Sequence, residues 1–509
     1  MDLGSAFAVS VARHPGAAAV VDGTHRRTYA QWDRDIRAAA GALARMGLAS
    51  GDHFAVVMRN RHEMATLYWA SHVLGLIFAP ISWRGSLDEI AYCLEDCEPA
   101  AVAYDGASGT AAPEAAARLK IDPRRQIVAA DGKGDGVRFE TLLDAAPIAG
   151  PSGCDDSAIC LMLYTSGTTG RPKGVPRSHR AELAAGVSQV AHHLYRASES
   201  SLCVMPMFHT MGVRKMLATA LVNGKLVCMP NYSPAGVLRL VAAERISSLF
   251  LVPTMFHDIL REPGFARHDL GSLSRLGYAG MAMTPVLVEQ CLERFKPDVF
   301  INHYGSSEIY TFTICDHLRE KPGCAGRAGL NQVIRVVPPD PAQIDIDLRP
   351  GEPGEIVASM KSPEAFSGYW KRPDADAKAI QGQWYRTGDL GQFDEDGELY
   401  VAGRVDDMII SGGENIFPEE VEDALARCAG VASCAVIGLP DERLGSRVVA
   451  FVEPASPAVT AETIDTACLD TGLARFKRPR EYVFVKAIPR SASGKLLRRK
   501  LRIGEFERI

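Results

Sequence analysis

The sequence predicts an α/β protein with three parts: a large N-terminal domain of mostly parallel sheets flanked by helices, a small β-barrel-like subdomain within it, and a small mobile α+β C-terminal domain. Over residues 1–405, apolar runs such as SLFLV (248–252) alternate with amphipathic runs such as PVLVEQCLERF. From about residue 340 to 403 the pattern changes to short β-like pieces. Strands that alternate with helices favour a parallel sheet covered by helices.

The N-terminal domain supplies several clear strand and helix patterns. ICLMLY (159–164), RLGYAG (275–280) and DVFINHYG (298–305) are typical of buried strands, and residues 178–195 have a helical pattern. In such a sheet the loops that follow the strands are the preferred place for ligands, because helix N-termini and free backbone amides gather there.

The C-terminal part is expected to begin near residue 406 and to reach residue 509. GEIVAS, QWYRTGDLGQF and GELYVAG indicate a small antiparallel sheet or barrel before this boundary. After it, Pro418 followed by Glu419 and Glu420 is typical of a helix N-terminus. The remaining hundred or so residues predict strand, strand, helix, strand, helix.

Composition and charge exclude several classes of protein. A net charge of -5 gives no general attraction to nucleic acid or to an acidic membrane surface. The 12 scattered cysteines lack a second close pair that would complete a zinc site with Cys93 and Cys97, and we interpret them as reduced thiols. No apolar run reaches the roughly 18 residues of a membrane span, and the N-terminus is unlike a signal peptide. We therefore expect a cytoplasmic protein without nucleic-acid or membrane partners.

The stretch YTSGTTGRPKG (164–174) is a candidate phosphate loop. It is expected to join a buried strand to a helix. A kinase-type P-loop is excluded, because Pro172 and Gly174 stand where an amide donor and a magnesium-binding hydroxyl are needed. Hydroxyls, glycines and one ammonium suit instead a flap around polyphosphate oxygens. The residues of this flap are Thr165, Ser166, Gly167, Thr168, Thr169, Gly170 and Lys173.

Further motifs follow this loop in a fixed order. They are YGSSE (304–308), YRTGD (385–389), GRVDD (403–407) and PRSASGK (489–495). Together with the loop, they resemble the motifs of the adenylate-forming superfamily, which includes acyl-CoA synthetases, adenylation domains of peptide synthetases and luciferases. VDDMIISGGENI and FKRP resemble bacterial aryl-CoA ligases of the 4-chlorobenzoate type. The resemblance spans nearly the whole chain, and so many motifs in order make chance agreement negligible.

The resemblance implies an ATP site. Glu308 would hold Mg²⁺ with the Thr165 hydroxyl nearby, Ser307 would contact the α-phosphate, and Tyr304 would stack near adenine beside His303. Asp389 would accept hydrogen bonds from the ribose hydroxyls, and Arg404 would bind on the ribose and phosphate side. Ser307 replaces the more usual Thr and keeps the hydroxyl. Charge that builds at the α-phosphate during attack needs such preorganised cations and donors.

The resemblance also implies a mobile C-terminal domain. Lys495 would place its ammonium between the incoming carboxylate and the α-phosphate. A rotation about Asp406 would then replace Lys495 by the loop that contains Gly412 and Gly413, where coenzyme A would enter. The candidates for the CoA phosphates are Arg84, Lys477, Arg478 and Arg480.

The acid pocket is expected around PMFHTMG (206–212), where His209 follows an aromatic residue as in acyl- and aryl-CoA ligases. No Asp stands nearby to hold an amino-acid ammonium, which argues against an amino-acid substrate. The expected lining is His209, Met211, Gly280, His303 and Gly305. Polar residues near this pocket favour an aromatic or polar-substituted acid, and these are His303, Arg214, Lys215, Tyr310 and Thr311.

The resulting hypothesis is an AMP-forming acid:CoA ligase that uses ATP, Mg²⁺ and CoA, with a possible homodimer. Lys495, Glu308, His209 and Thr165 are its candidate catalytic residues. One alternative is a stand-alone adenylating enzyme that loads an acyl group onto the phosphopantetheine of a carrier protein. The basic cluster at 475–480 favours CoA. A non-catalytic relative is disfavoured by the retained Lys495, Glu308 and Asp389, and luciferase-type oxidation is left open.

Overall fold

The computed structural model describes residues 1–165, 171–471, 473–490 and 496–509, and for Asn415 and Leu469 it describes the backbone alone. In the described part the chain divides into two compact units. The first unit comprises Met1–Val333 and Ser359–Gln383, and the second comprises Ile334–Ala358 and Trp384–Ile509. The proposed boundary at residues 405 and 406 and the hinge at Asp406 stay predictions.

The strands and helices are numbered in chain order. The strands are β1 Ala18–Asp22, β2 His25–Thr28, β3 His53–Val57, β4 Ile77–Pro80, β5 Ala101–Tyr104, β6 Gln126–Val128, β7 Val137–Arg138, β8 Ile159–Thr165, β9 Lys173–Ser178, β10 Ser200–Cys203, β11 Lys225–Cys228, β12 Ser248–Leu251, β13 Arg275–Ala279, β14 Val299–Tyr304, β15 Thr313–Cys315, β16 Arg327–Ala328, β17 Ile334–Val337, β18 Gly354–Ser359, β19 Ile380–Gln381, β20 Trp384–Phe393, β21 Leu399–Arg404, β22 Ile409–Ser411, β23 Glu414–Ile416, β24 Val431–Asp441, β25 Gly445–Pro454 and β26 Glu481–Phe484. The helices are α1 Leu3–Arg13, α2 Tyr29–Arg45, α3 His62–Leu74, α4 Leu87–Cys97, α5 Ala111–Arg118, α6 Phe139–Leu142, α7 His179–His192, α8 Thr210–Leu221, α9 Pro234–Glu244, α10 Pro253–Leu260, α11 Pro285–Phe295, α12 Pro373–Ala379, α13 Pro418–Ala426, α14 Ala461–Asp470 and α15 Arg498–Arg502.

The first unit contains two mostly parallel sheets. One has the strand order β16-β15-β14-β13-β12-β10-β11-β1-β2, and the other has the order β7-β6-β5-β3-β4-β8-β9. The central pairs β12 with β13 and β13 with β14 are parallel, as are β3 with β4 and β3 with β5. Their residues are apolar on both faces, because helices cover both sides of such sheets. The predicted parallel α/β architecture is therefore confirmed.

The second unit is built mainly from antiparallel pairs, and β26 pairs with β25 in parallel. β17 pairs with β18, and β20 pairs with β21, which confirms the expected small antiparallel sheet. Further along the chain, β24 and β25 pair over nearly their whole length, and α13 packs on this sheet through Val421, Ala424 and Leu425. Within the described residues, no helix combines the length and apolar character needed to cross a bilayer.

The segment after the phosphate loop differs from the prediction. We expected the loop to lead directly into a helix, but Lys173–Ser178 forms β9 first, antiparallel to β8, with Thr165 opposite Lys173. β9 lies at the edge of its sheet, and an edge strand tolerates Pro176 because one row of its backbone N–H groups needs no ladder partner. Helix α7 follows immediately, with the Ser178 side chain as its N-cap. The predicted helix is therefore present, one strand later than expected.

Candidate active site

The loop after β14 carries the YGSSE motif and folds back on itself. Ser306 Oγ accepts hydrogen bonds from the backbone N–H groups of Glu308 (3.2 Å) and Ile309 (3.3 Å), and Ser306 N donates to Ile309 O (3.0 Å). A Cβ on Gly305 would lie 2.0 Å from the carbonyl oxygen of Tyr310. Only glycine allows this close backbone approach, so Gly305 shapes the loop that presents Ser307 and Glu308.

Glu308 is held by a tyrosine that the sequence analysis did not identify. Glu308 is buried, and its Oε1 accepts a 2.7 Å hydrogen bond from the Tyr369 hydroxyl. The Lys173 ammonium lies 3.8 Å from the centre of the Tyr369 ring. Tyr369 thus links the loop candidate Lys173 to the metal candidate Glu308. A tyrosine in SGYW carries no sequence signal for this role, because only the fold brings it to Glu308.

The backbone of Glu308 is fixed by a buried ion pair. Arg177 on β9 is fully buried, and its Nε donates to Glu182 at 2.8 Å. Its NH1 donates to the carbonyl oxygens of Glu308 (2.9 Å) and Glu364 (2.6 Å). Removing one partner of such a pair leaves a buried charge uncompensated, which is strongly destabilising. The Arg177–Glu182 pair therefore positions the peptide of Glu308 and is a second feature that sequence reasoning missed.

The two residues predicted to bind Mg²⁺, Glu308 and Thr165, carry oxygen atoms of the kind that this ion prefers. Within the described residues, Tyr369 is the one hydrogen-bond partner of the Glu308 carboxylate, and its hydroxyl donates to Oε1. Oε2 of Glu308 is therefore available to bind a cation. Thr165, at the end of β8, offers a hydroxyl. Carboxylate and hydroxyl oxygens are hard ligands of the kind that Mg²⁺ accepts while keeping water and phosphate ligands.

The acid-pocket candidates are grouped around the start of α8. His209 is half-buried, and its Nδ1 accepts from the N–H of Met211 at 3.4 Å, as the N-cap of the helix. The Thr210 hydroxyl lies 2.8 Å from the Ser307 hydroxyl, which ties α8 to the YGSSE loop. Met211 belongs to an apolar cluster that contains Met205, Phe250, Val252 and Ala279, and Gly280 lies exposed at the end of β13.

His303 is buried beneath this loop. Its Nε2 accepts from Arg214 NH1 at 2.8 Å, and its Nδ1 lies 3.3 Å from His193 Nε2. Burial lowers the pKa of His303 well below its usual range, and the charge of Arg214 lowers it further. A guanidinium can only donate, so Nε2 accepts from Arg214, and the same nitrogen lies 3.2 Å from the carbonyl oxygen of Tyr310. The predicted contacts of His303 with nucleotide and acid stay predictions.

The second unit brings together the two residues predicted to hold ribose. Asp389 on β20 lies opposite Arg404 on β21, and Arg404 NH1 donates to Asp389 Oδ1 at 2.6 Å. Thr387 supports both of them. Its carbonyl accepts from Arg404 NH1, its Oγ1 accepts from the N–H of Asp389, and its hydroxyl is anchored on Ile356 O. Both charged side chains are partly exposed, so they can accept a ligand.

The predicted CoA loop is a tight hairpin turn between β22 and β23. Gly412 and Gly413 have φ values of 62° and 88°, and Ser411 pairs with Glu414. A two-residue turn with positive φ at both positions strongly prefers glycine, so a Gly-Gly pair fits the geometry. Asp406 lies in a helical turn at Val405–Asp407, next to Asp407, which forms ion pairs with Arg498 and Arg502.

The basic CoA candidates are engaged in different ways. Lys477 forms an ion pair with Glu420 at 2.7 Å, and Arg478 forms one with Asp465 at 3.2 Å. Arg480 is exposed, and Arg84 in the first unit stacks on Trp83. Their role in binding CoA stays a prediction. Lys495 and the flap residues Ser166, Gly167, Thr168, Thr169 and Gly170 lie outside the described residues.

Comparison with known proteins identifies the family. The family described as AMP-binding enzyme matches residues 7–370, and the AMP-binding enzyme C-terminal domain matches residues 420–495. The chain is 33% identical over 493 residues to the feruloyl-CoA synthase of Amycolatopsis sp, covering 96% of both chains. It is 32% identical over 502 residues to the 4-chlorobenzoate–CoA ligase of Arthrobacter sp, covering 97% of this chain and 93% of the relative.

A solved structure agrees with these matches. The o-succinylbenzoate CoA synthetase of Bacillus subtilis, in complex with its acyl-adenylate intermediate, superposes with a TM-score of 0.87. The sequence identity is 26%, and the match covers 99% of this chain and 98% of that chain. The predicted fold class is thereby confirmed. The chain belongs to the AMP-binding enzyme family, the adenylate-forming superfamily.

Proposed function

We propose that this chain is an ATP-dependent acid:CoA ligase. A carboxylic acid and ATP form acyl-AMP and pyrophosphate, and CoA then displaces AMP to form the thioester. The observation that carries the proposal is the contact of Glu308 with Tyr369, over whose ring Lys173 lies. It places a carboxylate and an ammonium together in the first unit, as a triphosphate and its cation require.

The first half-reaction makes the acid reactive. A carboxylate oxygen attacks the α-phosphorus, the new P–O bond forms, and the bond to pyrophosphate breaks. Glu308 and Thr165 would hold Mg²⁺, which when bound would neutralise phosphate charge. Ser307, hydrogen-bonded to Thr210, would contact the α-phosphate, and Lys495 would stabilise the charge that develops there.

Nucleotide binding would also use the second unit. Asp389 would accept from the ribose hydroxyls, and Arg404, held against it, would add positive charge on the ribose and phosphate side. In the first unit, Tyr304 would lie near the adenine. The flap residues between Thr165 and Lys173 would wrap the β- and γ-phosphates, for which a loop rich in hydroxyls and glycines is suited.

The second half-reaction transfers the acyl group. The CoA sulfur attacks the acyl carbon, AMP leaves with the electron pair of the broken C–O bond, and the thiol proton passes to solvent. The small turn at Gly412 and Gly413 would leave room for the pantetheine arm. Asp406 is the proposed pivot between the two half-reactions.

The acid is proposed to be aromatic or polar-substituted. The relatives named for feruloyl and 4-chlorobenzoate act on aromatic acyl groups, and polar side chains lie behind the apolar cluster at Met211. Loading of a carrier protein is not favoured, because these relatives are CoA ligases. A homodimer and a cytoplasmic location are also part of the proposal.

Pyrophosphate release tests the proposal. Purified protein is incubated with ATP, Mg²⁺ and a panel of aromatic and aliphatic acids, with and without CoA. We expect acid-dependent pyrophosphate release, and a thioester when CoA is present. No acid-dependent release with any acid would refute adenylation, whereas release with no discharge by CoA would support the carrier-protein alternative.

A further inference from the structure

A buried cluster of two cations and two imidazoles lies behind the apolar acid-pocket candidates. It consists of Arg214, Lys215, His193 and His303. Arg214 and Lys215 follow each other on α8 and are each 2% exposed. Charged side chains are almost never buried to this extent unless they are paired with an opposite charge. The partners of these two cations are therefore informative.

Arg214 is surrounded by neutral acceptors. NH1 donates to His303 Nε2 (2.8 Å) and to the carbonyl oxygen of Tyr310 (3.1 Å), and NH2 donates to Thr311 Oγ1 (2.8 Å). Its Nε is buried and has no hydrogen-bond partner among the described residues. Burial accordingly lowers the pKa of Arg214. One donor of the guanidinium is thus left without an acceptor from the part of the chain that the structure describes.

Lys215 is also held by neutral groups. Its ammonium donates to the Tyr195 hydroxyl and to the Ser248 hydroxyl, both at 2.5 Å. His193 and His303 cannot balance the two cations, because an imidazole is either neutral or cationic. Burial and the nearby cations lower the pKa of both imidazoles well below the usual range. The cluster therefore carries positive charge that no carboxylate of the described residues contacts.

The nearest acidic groups are not in contact with Arg214. Glu182 and Glu364 have the largest electrostatic effects among the carboxylates on Arg214, and Glu182 is already paired with Arg177. A buried cation that no carboxylate of the described residues contacts attracts an anionic or strongly dipolar group, because charges interact strongly in a low-dielectric region.

The cluster is continuous with the apolar acid-pocket candidates. The ring of Phe250 packs in the apolar cluster with Met211, and its centre lies 5.1 Å from the His193 ring and 5.8 Å from the His303 ring. His209 is the N-cap of α8, and Arg214 lies on the same helix five residues further along the chain.

We propose that Arg214, with His303 and Lys215 behind it, selects acids that carry a second oxygen acceptor, a carboxylate or a ketone, at the end remote from the reacting carboxylate. The inference rests on the proposed function and adds the substrate class. The apolar cluster contacts the body of the acid, and the remote oxygen accepts from the Arg214 guanidinium. A site with a buried donor rejects an analogue that lacks the acceptor, because the donor is then left unpaired.

Matched acids test this proposal. One series is 4-isopropylbenzoate, 4-acetylbenzoate and terephthalate, and the other is 5-methylhexanoate, 5-oxohexanoate and glutarate. Each series keeps its shape and changes the remote group from apolar to ketone to carboxylate. Acid-dependent exchange of pyrophosphate into ATP gives kcat/KM for each acid. We expect a ketone or carboxylate to be preferred over its apolar partner by at least about 10-fold.

The Arg214→Met variant tests whether Arg214 is the residue that recognises the remote oxygen. It should bring the ratio of kcat/KM between acceptor and apolar acids near one. Arg294→Met is the matched control, because Arg294 stacks on Phe265 within the same unit and lies outside the cluster. It should leave the ratio unchanged. Thermal unfolding of both variants reports any loss of folding.

The outcomes separate the two proposals. Exchange with the apolar acids and none with their acceptor partners overturns the selectivity of Arg214 while adenylation stands. A preference for acceptor acids that Arg214→Met leaves intact overturns the role of Arg214. No exchange with any acid overturns the proposed function and this inference with it. If Arg214→Met does not fold, the ratio of kcat/KM between acceptor and apolar acids in the wild-type protein alone decides whether the enzyme selects acceptor acids.

Discussion

The Tyr369 hydroxyl donates a 2.7 Å hydrogen bond to Oε1 of Glu308, across 61 residues of sequence. The bond orients the carboxylate that we propose for the cation, and the Tyr369 ring lies under the Lys173 ammonium. One aromatic side chain thus contacts two groups that are expected to act on the same triphosphate.

Tyr369→Phe should weaken the affinity of the enzyme for Mg²⁺ without unfolding it. Loss of a hydrogen bond to a charged group costs about 1.5–3 kcal/mol, so we expect kcat/KM for ATP to fall by roughly 10- to 100-fold. The Mg²⁺ concentration for half-maximal rate should rise. Tyr104→Phe is the control, since it removes a buried hydroxyl that bonds to Gln126 in the same unit. Equal effects in both variants would contradict the prediction.

Gly305→Ala should disrupt adenylation through a steric effect. The new Cβ would lie 2.0 Å from the Tyr310 carbonyl oxygen, so the loop that presents Ser307 must move. Displacement of this size should lower the rate of pyrophosphate exchange by about 100-fold. Gly16→Ala is the matched control, because no atom lies within 4 Å of its new Cβ. Near-normal exchange in Gly305→Ala would show that the loop geometry is not needed.

Asp389→Asn should raise KM for ATP. The substitution removes the acceptor charge that pairs with Arg404 at 2.6 Å and that is proposed to hold the ribose. We expect an increase of roughly 10-fold or more, with a smaller effect on kcat for the bound substrate. Asp374→Asn, which breaks the exposed pair with Arg372, should leave KM unchanged. Nucleotide titrations give the affinity directly.

Lys495→Ala and Asp406→Pro should affect opposite half-reactions. Loss of the lysine ammonium should abolish formation of acyl-AMP and largely spare thioester formation from supplied acyl-AMP. A rigid residue at 406 should do the reverse, because proline fixes φ at the proposed pivot. Each half-reaction is measured separately by pyrophosphate exchange and by CoA consumption. Equal loss of both half-reactions in both variants would argue against rotation about residue 406.

Glu419→Gln should change how stability depends on pH. Burial, opposed by Arg498, raises the pKa of Glu419 from 4.5 to about 7. The folded state then holds this proton more tightly than the unfolded state, so stability falls as the pH rises from about 4.5 to about 7. Glutamine does not titrate. In the variant, the decrease in the free energy of unfolding between low and high pH should therefore be smaller by on the order of 1 kcal/mol, after allowance for solvent screening.

Urea unfolding at pH 5 and pH 8 measures this effect. Glu442→Gln is the control, because Glu442 is exposed and should leave the pH dependence as it is. The assignment would be contradicted if the free energy of unfolding of the wild-type protein did not decrease between pH 5 and pH 8. The Glu442→Gln control accounts for the other titrating groups.

Much of the fold could be predicted from local patterns. The strands at 159–164, 275–280 and 298–305 were predicted from apolar runs and are present as β8, β13 and β14. The order of elements after residue 430 was predicted as well. Strand β9 was missed, because a short segment that contains Gly174 and Pro176 has weak strand propensity, and its pairing with β8 decides its structure.

Part of the candidate site could also be predicted. Asp389 and Arg404 were assigned to one function from separate motifs, and they are paired on adjacent strands. Tyr369 was not predicted, and neither was the Arg177–Glu182 pair beneath Glu308. These residues have no motif of their own, because their role depends on which side chains the fold places beside them.

The sequence by itself determined the family of this chain and its α/β class, and it predicted the residues that we propose for nucleotide chemistry, since element type and motif order depend on local spacing. The tertiary structure decided which side chains contact and position these residues. Tyr369 reaches Glu308 over 61 residues, and Arg214 reaches His303 over 89 residues. Such contacts depend on how helices and strands pack in three dimensions, and no local period of the sequence encodes that packing.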